Sequence, residues 1–285
     1  MILVTGATGN IGHHLVRELT AINAPFKVLA YSGKANKRQF HGVKTIVGDF
    51  ADPASIRAAL QDVTAVFLLL PDSPARVFLE KVLIEEAQQL GTAPHIVKLS
   101  IIGADRHASA PILKWHGQGE ELLEASGLPY THLRANWFIQ DMFADQAQPI
   151  VREATIYQPH DDAQVSLLDI RDVSAVAAKV LTKPGHQGRT YEITGPEALN
   201  FEQIAEKLST HLGKPITYSR ISDAIAWQTM ISGGLDPQVA HNYLTLFQFH
   251  RRGGAARLTG FVEIITGRPP LTLDAFISQN KQLFN

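Results

Sequence analysis

Residues 1–19 read "MILVTGATGNIGHHLVREL", an apolar run that meets glycines at 6, 9 and 12 and continues as an apolar-periodic stretch. Strand, tight turn and helix in that order fix how the fold begins. Gly6 permits the tight turn, Gly9 lets the backbone come close to a pyrophosphate, and Gly12 lets helix and strand pack together. The start of the helix offers free N–H groups and a positive dipole end, which suit phosphate. A glycine triplet alone is weak, but in strand–turn–helix context it is the fingerprint of a dinucleotide site. Thr8, Asn10 and Ile11 belong to the same turn. The alternative is a glycine-rich turn with no ligand.

Further along, short apolar runs at 2–5, 26–31, 43–47, 65–70, 96–100 and 131–134 alternate with amphipathic stretches at 10–22, 53–60, 73–90 and 112–125. Strands that are apolar throughout are covered on both faces. The alternation predicts an α/β fold, a Rossmann-type doubly wound parallel sheet. Asp52-Pro53 and Asp72-Ser73-Pro74 read as helix starts, an N-cap followed closely by proline. From about residue 145 the pattern becomes broken and strand-like, and the last ninety residues are mostly helical, at 201–212, 223–231, 239–249 and 273–283. The expected division is a dinucleotide-binding domain over 1–195, with 146–165 partly crossing, and a smaller substrate-covering lobe over 196–285.

Composition narrows the function. The 285 residues carry 26 Lys+Arg against 27 Asp+Glu, a formal net charge of −1, so no basic face for nucleic acid is expected. There is no cysteine, hence neither a disulfide framework nor a thiolate nucleophile. The twelve histidines are scattered without metal-ligand spacing, and no metal is expected. Met1 leads straight into a strand without a basic n-region, and the longest apolar run, 65–71, is too short to span a bilayer. A cytoplasmic protein with no membrane segment is the expectation.

Which dinucleotide binds is read from the end of the second strand, "VLAYSGKANKRQF". NAD sites usually place a carboxylate there for the ribose 2′-OH. Here Tyr31, Ser32, Lys34, Lys37 and Arg38 stand instead, which favours NADP(H) and leaves NAD(H) open. The alternative for the basic residues is the solvated face of a short helix. Asp49 and Phe50 follow the third strand and would flank an adenine. Leu69 and Leu70 end the fourth, beside the point where strand order should reverse, and are otherwise core.

With "GATGNIG", "VGDFADPASIRAAL", "SGLPYTHLRANWFIQD" and "LDIRDVSAVAAKVL" in view, the chain resembles the NmrA-like, atypical short-chain dehydrogenase/reductases over nearly its whole length. It is most similar to the branch of bacterial NAD(P)H:quinone and triphenylmethane-dye reductases, which implies hydride transfer. That branch usually carries Arg where Tyr31 stands here, so the NADP preference rests on Ser32 and Lys34.

Related dehydrogenases use Tyr with Lys four residues later as a general acid–base couple. The six tyrosines, at 31, 130, 157, 191, 218 and 243, are followed at that spacing by Ala35, Arg134, Asp161, Gly195, Ser222 and Phe247. None is lysine, which removes support for alcohol oxidation and sugar epimerisation. The corresponding helix reads "KWHGQGEELLEASG", where His116 and Glu120 share a face. By resemblance, His116 stands where plant phenylpropanoid reductases carry Lys, and the quinone-reductase branch has this His-x-x-x-Glu pattern. His116 would orient a carbonyl or donate a proton, and Glu120 would hold its tautomer; the alternative is a surface histidine and a solvated acid. After the sixth strand, Asn136 is placed to bond a nicotinamide carboxamide, and Trp137 and Phe138 to wall a flat substrate, or else to pack the next helix. Ser100 lies beside the expected ribose, or is a satisfied core serine. Trp227, Tyr243, Leu244 and Phe247 read as core, with one face available to roof a pocket.

These readings converge on an NAD(P)H-dependent reductase of a quinone or similar flat small molecule, with a homodimer compatible. The competing reading is a non-catalytic NmrA-like redox sensor; a reductase of an imine or enone is a third.

Overall fold

The computed structural model describes residues 1–31, 40 and 42–284. Nine strands and eleven α-helices follow one another among the described residues. The first half runs β1 (Ile2–Val4), α1 (Asn10–Ala21), β2 (Phe26–Ala30), β3 (Lys44–Val47), α2 (Pro53–Ala59), β4 (Ala65–Leu68), α3 (Arg76–Gln88), β5 (His95–Ile101), α4 (Pro111–Ala125) and β6 (Tyr130–Ala135). The second runs α5 (Ile139–Glu153), β7 (Thr155–Gln158), α6 (Ile170–Thr182), β8 (Arg189–Ile193), α7 (Phe201–Leu212), β9 (Thr217–Arg220), α8 (Asp223–Ser232), α9 (Pro237–Arg251), α10 (Phe261–Thr266) and α11 (Leu273–Gln279).

Seven strands form one sheet in the order β3-β2-β1-β4-β5-β6-β8, with every pairing parallel. The order reverses between β1 and β4, and the crevice outside the carboxyl ends of those strands is where such sheets bind ligands. This is the doubly wound α/β sheet expected from the alternation. Successive residues of one strand serve opposite faces: Ile2 and Val4 join the core under α1 and α6, while Leu3 joins the core under α2 and α3. Period-two geometry buried on both sides favours apolar residues at successive positions, so the strands read as mainly apolar runs, with Lys98 and Ser100 of β5 and His132 of β6 as buried polar exceptions.

Several sequence expectations shift. Asp52 does cap α2, accepting from Ala54 N at 3.0 Å. Asp72 does not cap α3, which starts at Arg76 behind Ala75 with no side-chain cap. The stretch after 145 is broken and strand-like as expected from Thr155 on, through β7 and an irregular run to α6, but its first residues, to Glu153, belong to α5, which carries Pro149 inside it. Ile139, Met142, Phe143 and Ile150 keep its buried stripe at helical spacing and outweigh one proline. Beyond residue 196 the chain does not remain in one lobe. Helices α7 and α11 pack with α5 and the parallel pair β7–β9, but Val262 of α10 returns to the main core. Among the described residues no helix is long and apolar enough to cross a membrane.

Three buried histidines set the acid response of this fold. His160 Nε2 and His250 Nδ1 are 3.1 Å apart inside a ring of Trp137, Phe201 and Phe247. Burial lowers the pKa of His160 to about 2 and of His250 to about 3, and that of His132 on β6 to about 4. The unfolded chain binds these protons near pH 6.5 while the folded chain refuses them, so stability is full above 6.5 and falls as pH drops toward 4. Each histidine withdraws about 1.4 kcal/mol per pH unit in that window. Urea midpoints should therefore hold from pH 7.5 to about 6.5 and decline from there to pH 5; a profile flat throughout would contradict the buried neutral imidazoles.

Candidate active site

The glycine turn is anchored from both sides. The Thr5 hydroxyl lies 3.0 Å from Phe67 O and 3.1 Å from Leu69 O, and accepts from Leu69 N at 2.9 Å, tying β1 to the end of β4. Gly6 then turns with φ of +64°, the left-handed region that strains any L side chain. A Cβ on Gly6 would press into Leu69, and one on Gly12 would overlap the Gly6 carbonyl, so α1 sits directly against the turn. Gly9 is the N-cap of α1, whose first turn has neither a side-chain cap nor an acidic residue. Gly9 and Asn10 are exposed, and Thr8 and Ile11 half-exposed, so the first N–H groups of the helix open toward solvent. A turn of this geometry, with helix N–H groups open at its mouth, is chemically suited to an anion such as a diphosphate.

The rim of that turn is less fully described. Tyr31 is exposed at the end of β2, but Ser32, Lys34, Lys37 and Arg38 lie outside the described residues. Asp49 accepts from Ala51 N at 2.9 Å and donates its own N–H to Ser55 Oγ at 2.8 Å, which shapes the loop after β3. Phe50 packs against the core under α2 and α3. Leu69 packs on Gly6, and Leu70 is buried.

Beside the turn, on the same edge of the sheet, lies a buried ionic network. Arg76 is 1% exposed. Its Nη1 donates to Leu70 O and to Asp72 Oδ1, both at 2.8 Å, its Nη2 to Leu99 O at 3.2 Å, and its Nε to Glu80 Oε1 at 3.0 Å. Lys98 Nζ donates to the same Glu80 oxygen at 2.5 Å. Glu80 fits only because Gly119 faces it, since a Cβ there would strike its Oε2. Burial lowers Lys98 to about 8 against the opposing pull of Glu80.

His116 belongs to this network. Its Nε2 lies 3.0 Å from Asp72 Oδ1. Against a desolvation that would raise it, the His116 bond, the charges of His116 and Arg76 and then Lys98 hold Asp72 at about 2, so it is an acceptor only and the hydrogen sits on Nε2. Burial and then Arg76 lower His116 to about 4 despite Asp72. At neutral pH it is a fixed, uncharged imidazole and not a source of protons. Its buried Nδ1 keeps a lone pair with no partner among the described residues.

Two sequence expectations are corrected here. Glu120 does not hold His116; it receives Arg134 Nε at 3.0 Å and Nη2 at 2.5 Å, a bidentate fork from β6. Burial would raise Glu120, but that fork keeps it low. Asn136 is not free for a carboxamide. Its Nδ2 donates to Ser166 Oγ at 2.5 Å and Ala255 O at 2.8 Å, and its Oδ1 accepts from Trp137 N at 2.9 Å. Ser100 is buried on β5 beside Glu120 and helps hold it low, without a well-aligned hydrogen bond among the described residues.

A small, open cleft lies between the β4–α3 loop, α4 and α9, its walls including Asp72, Ile112, Trp115, Val239 and Tyr243. Trp137 and Phe138, the expected wall, do not line it. Trp137 stacks on His160 at 5.1 Å, and Phe138 packs into the main core ahead of α5. An aromatic series nonetheless links the cleft to Trp137, with Tyr243 and Phe247 at 6.5 Å and Phe247 and Trp137 at 5.9 Å. The sequence reading passes over Trp115 and Arg76 and treats Asp72 only as a cap. One signal was present, the Asp72/Arg76 pair at helical spacing. Among the described residues no group of three or more His, Asp or Glu is arranged to hold a metal ion.

The model of the NmrA-like family matches residues 1–264. The chain is 34% identical to the NAD(P)H azoreductase of Xenophilus azovorans over 285 residues, all of this chain and 99% of that protein. The NADPH-dependent quinone oxidoreductase from Escherichia coli, in its complex with NADPH, is similar at a TM-score of 0.90, with 26% identity and both chains covered in full. The triphenylmethane reductase of Citrobacter complexed with NADP(H) shares the fold at a TM-score of 0.87 and 21% identity, covering 98% of this chain and 99% of that one.

Removing Arg76 should test the network directly. Arg76→Met leaves the Glu80 carboxylate buried with Lys98 alone and strips Leu70 O and Leu99 O of their donor, at a cost of about 3 kcal/mol. Chemical denaturation should show that loss at unchanged m-value, with Arg76→Lys intermediate because one ammonium cannot serve the same fork of acceptors.

Proposed function

The chain belongs to the NmrA-like family, and from that premise we propose that it is an NAD(P)H-dependent reductase passing hydride to quinones, azo compounds or similar flat electrophiles. The observation that carries this reading is a phosphate-ready glycine turn opening beside an aromatic cleft on one edge of the sheet. Its full-length likeness to a named azoreductase and a named quinone oxidoreductase supports the same activity. The sensor reading weighs less, because those relatives are enzymes and a sensor needs no acceptor cleft.

The diphosphate would be held by Gly6, Thr8, Gly9, Asn10, Ile11 and Gly12, with Tyr31, Asp49 and Phe50 along the adenosine side and Leu69, Leu70 and Ser100 toward the cleft. Ser32 and Lys34 would complete a 2′-phosphate site. When bound, NADPH supplies a hydride, and the reduced acceptor takes a proton to complete the two-electron change. Trp115 and Tyr243 would flank the acceptor ring. Asp72 and His116, with its hydrogen on Nε2, fix one another, so the buried imidazole would act as a positioning residue behind the cleft and hold the Asp72 carboxylate on its bank. The proton comes from water, which reaches the open cleft. An already electrophilic acceptor needs alignment more than acid catalysis, so the missing tyrosine–lysine couple is consistent with this chemistry.

The decisive experiment follows NADPH and NADH oxidation by the purified chain across quinones and azo dyes. Acceptor-dependent oxidation is expected, faster with NADPH. His116→Ala should lower kcat about tenfold while leaving nucleotide affinity intact. Gly9→Val, at the exposed N-cap where a Cβ would meet only the Gly6 carbonyl at 3.3 Å, should abolish nucleotide binding measured by calorimetry while the far-ultraviolet spectrum stays native. Tight nucleotide binding without oxidation by any acceptor would instead favour the sensor.

A further inference from the structure

Helix α8 is apolar on all sides yet covered on almost none. Six of its ten residues, Ala224, Ile225, Ala226, Trp227, Met230 and Ile231, are apolar, and of these Ala226 alone is buried. Ile225 is 54% exposed, and Trp227, expected in the core, is 39% exposed. A helix this short, burying one residue, draws little support from its own domain. Its base is nonetheless fixed. Ser222 caps it, accepting from Ile225 N at 3.3 Å, and Arg251 of α9 grips Asp223 with two bonds of 2.8 Å. That pair also balances the one charge on α8. From Ala224 to His250 the only formal charge at neutral pH is Asp236, although 19% of all residues are charged, so this hairpin is set apart from the rest of the surface. The exposed part of α8 offers Ile225 and Trp227 among Gln228, Thr229 and Ser232, an apolar centre with an uncharged polar surround.

We propose that this surface pairs with its own copy, α8 against α8 about a two-fold axis, and makes the chain a homodimer. At such an axis a residue meets its own image, so any charge there faces a like charge. A charge-free apolar strip is the composition that self-pairing requires, and it falls on a helix that its own domain leaves uncovered. Trp227 is the anchor, because a large ring held on a fixed helix gains much area on being covered at little cost in side-chain freedom. Leu235, exposed in the turn that follows, extends the apolar strip. One short helix and its turn supply less than the ~800 Å² per partner of a standard interface, so the dimer belongs at the weak end, dissociating in the micromolar range. An anionic bilayer also takes up apolar helices, but it is drawn by lysine and arginine, and residues 224–250 contain neither. A partner protein recognised by charge finds nothing here to pair with. Pairing through α8 does not depend on which acceptor the cleft takes.

Sedimentation velocity of the full chain from about 1 to 200 µM should show monomer passing to dimer with a micromolar midpoint. Trp227→Glu and Ile225→Glu, which set like charges against each other at the axis, should each raise the dissociation constant about hundredfold, and Trp227→Phe should change it only a few fold. Far-ultraviolet spectra should be native in all three, since each position is exposed. The chain has no cysteine, so Gln228→Cys adds a single thiol to the exposed side of α8. Oxidation with copper phenanthroline should join two such chains by a disulfide, and adding Trp227→Glu to the same chain should prevent it. A wild-type chain that stays monomeric at the highest concentration overturns the inference. So does a dimer that survives both glutamate variants, since it is then built on another surface. A monomer that binds phosphatidylcholine vesicles, and loses them with Trp227→Glu, overturns it in favour of lipid. None of these outcomes bears on acceptor reduction, which the oxidation assay measures separately.

Discussion

A guanidinium shut away from water must find acceptors inside the protein, because leaving it unpaired there costs several kcal/mol. Arg76 finds them on Leu70, Asp72, Glu80 and Leu99, which belong to three different parts of the chain. Its fork therefore ties the carboxyl ends of β4 and β5 together, next to the place where the strand order reverses. Leu69, one residue before the first of those carbonyls, presses on Gly6. A single buried ion thus links the glycine turn, through Leu70 and Leu69, to the floor of the cleft. Gly119 is the complementary constraint, the hollow without which Glu80 could not sit between Arg76 and Lys98, whose two charges it balances together with Asp72.

The same lack of water decides what the histidine does. An imidazole on an open helix face would titrate near neutrality and exchange protons with a substrate. Burial and the Arg76 charge deny His116 that role, and Asp72 fixes its orientation. The result is a rigid, neutral group beside a cleft that is itself open to water. Such an arrangement suits acceptors that are reactive already and suits an unactivated ketone poorly.

Local grammar carried most of what the sequence disclosed. Glycines at 6, 9 and 12 were legible because their roles depend on neighbours within a dozen residues plus one strand, and the apolar strands because both faces of the sheet are covered. The failures share one cause, a partner far away in the chain. Asp72 looks like the Asp-Pro cap that Asp52 is, until Arg76 and His116 claim its carboxylate. Glu120 has the right spacing for His116, but Arg134 reaches it from the adjacent strand with two bonds. Asn136 stands where a ligand-binding amide belongs and is taken by Ser166 and by Ala255, which is 119 residues away. Trp137 turns to His160 and His250 for the same reason.

Those distant ties also explain how the second half of the chain serves the site. Asp172, fully buried on α6, accepts from Arg268 Nη1 at 2.6 Å and Leu271 N at 2.7 Å, while Ser166 N bonds Ala255 O at 2.9 Å. The segment after α9 is thereby stitched to the sheet, which fixes the carboxyl end of α9. At the other end of α9 the hydrogen bonds among the described residues are local, from the Asp236 cap and Gln238 to Asn242, and α8, its partner, buries only Ala226. The nucleotide turn and the ionic floor are thus set by close packing that tolerates little change. Along the cleft, the N-cap Asp236 and Val239 and Tyr243 of α9 are exposed, while Asn242 of the same helix is buried. Substitutions at those exposed positions would therefore alter the shape and charge of the cleft with little effect on the packing around the glycine turn.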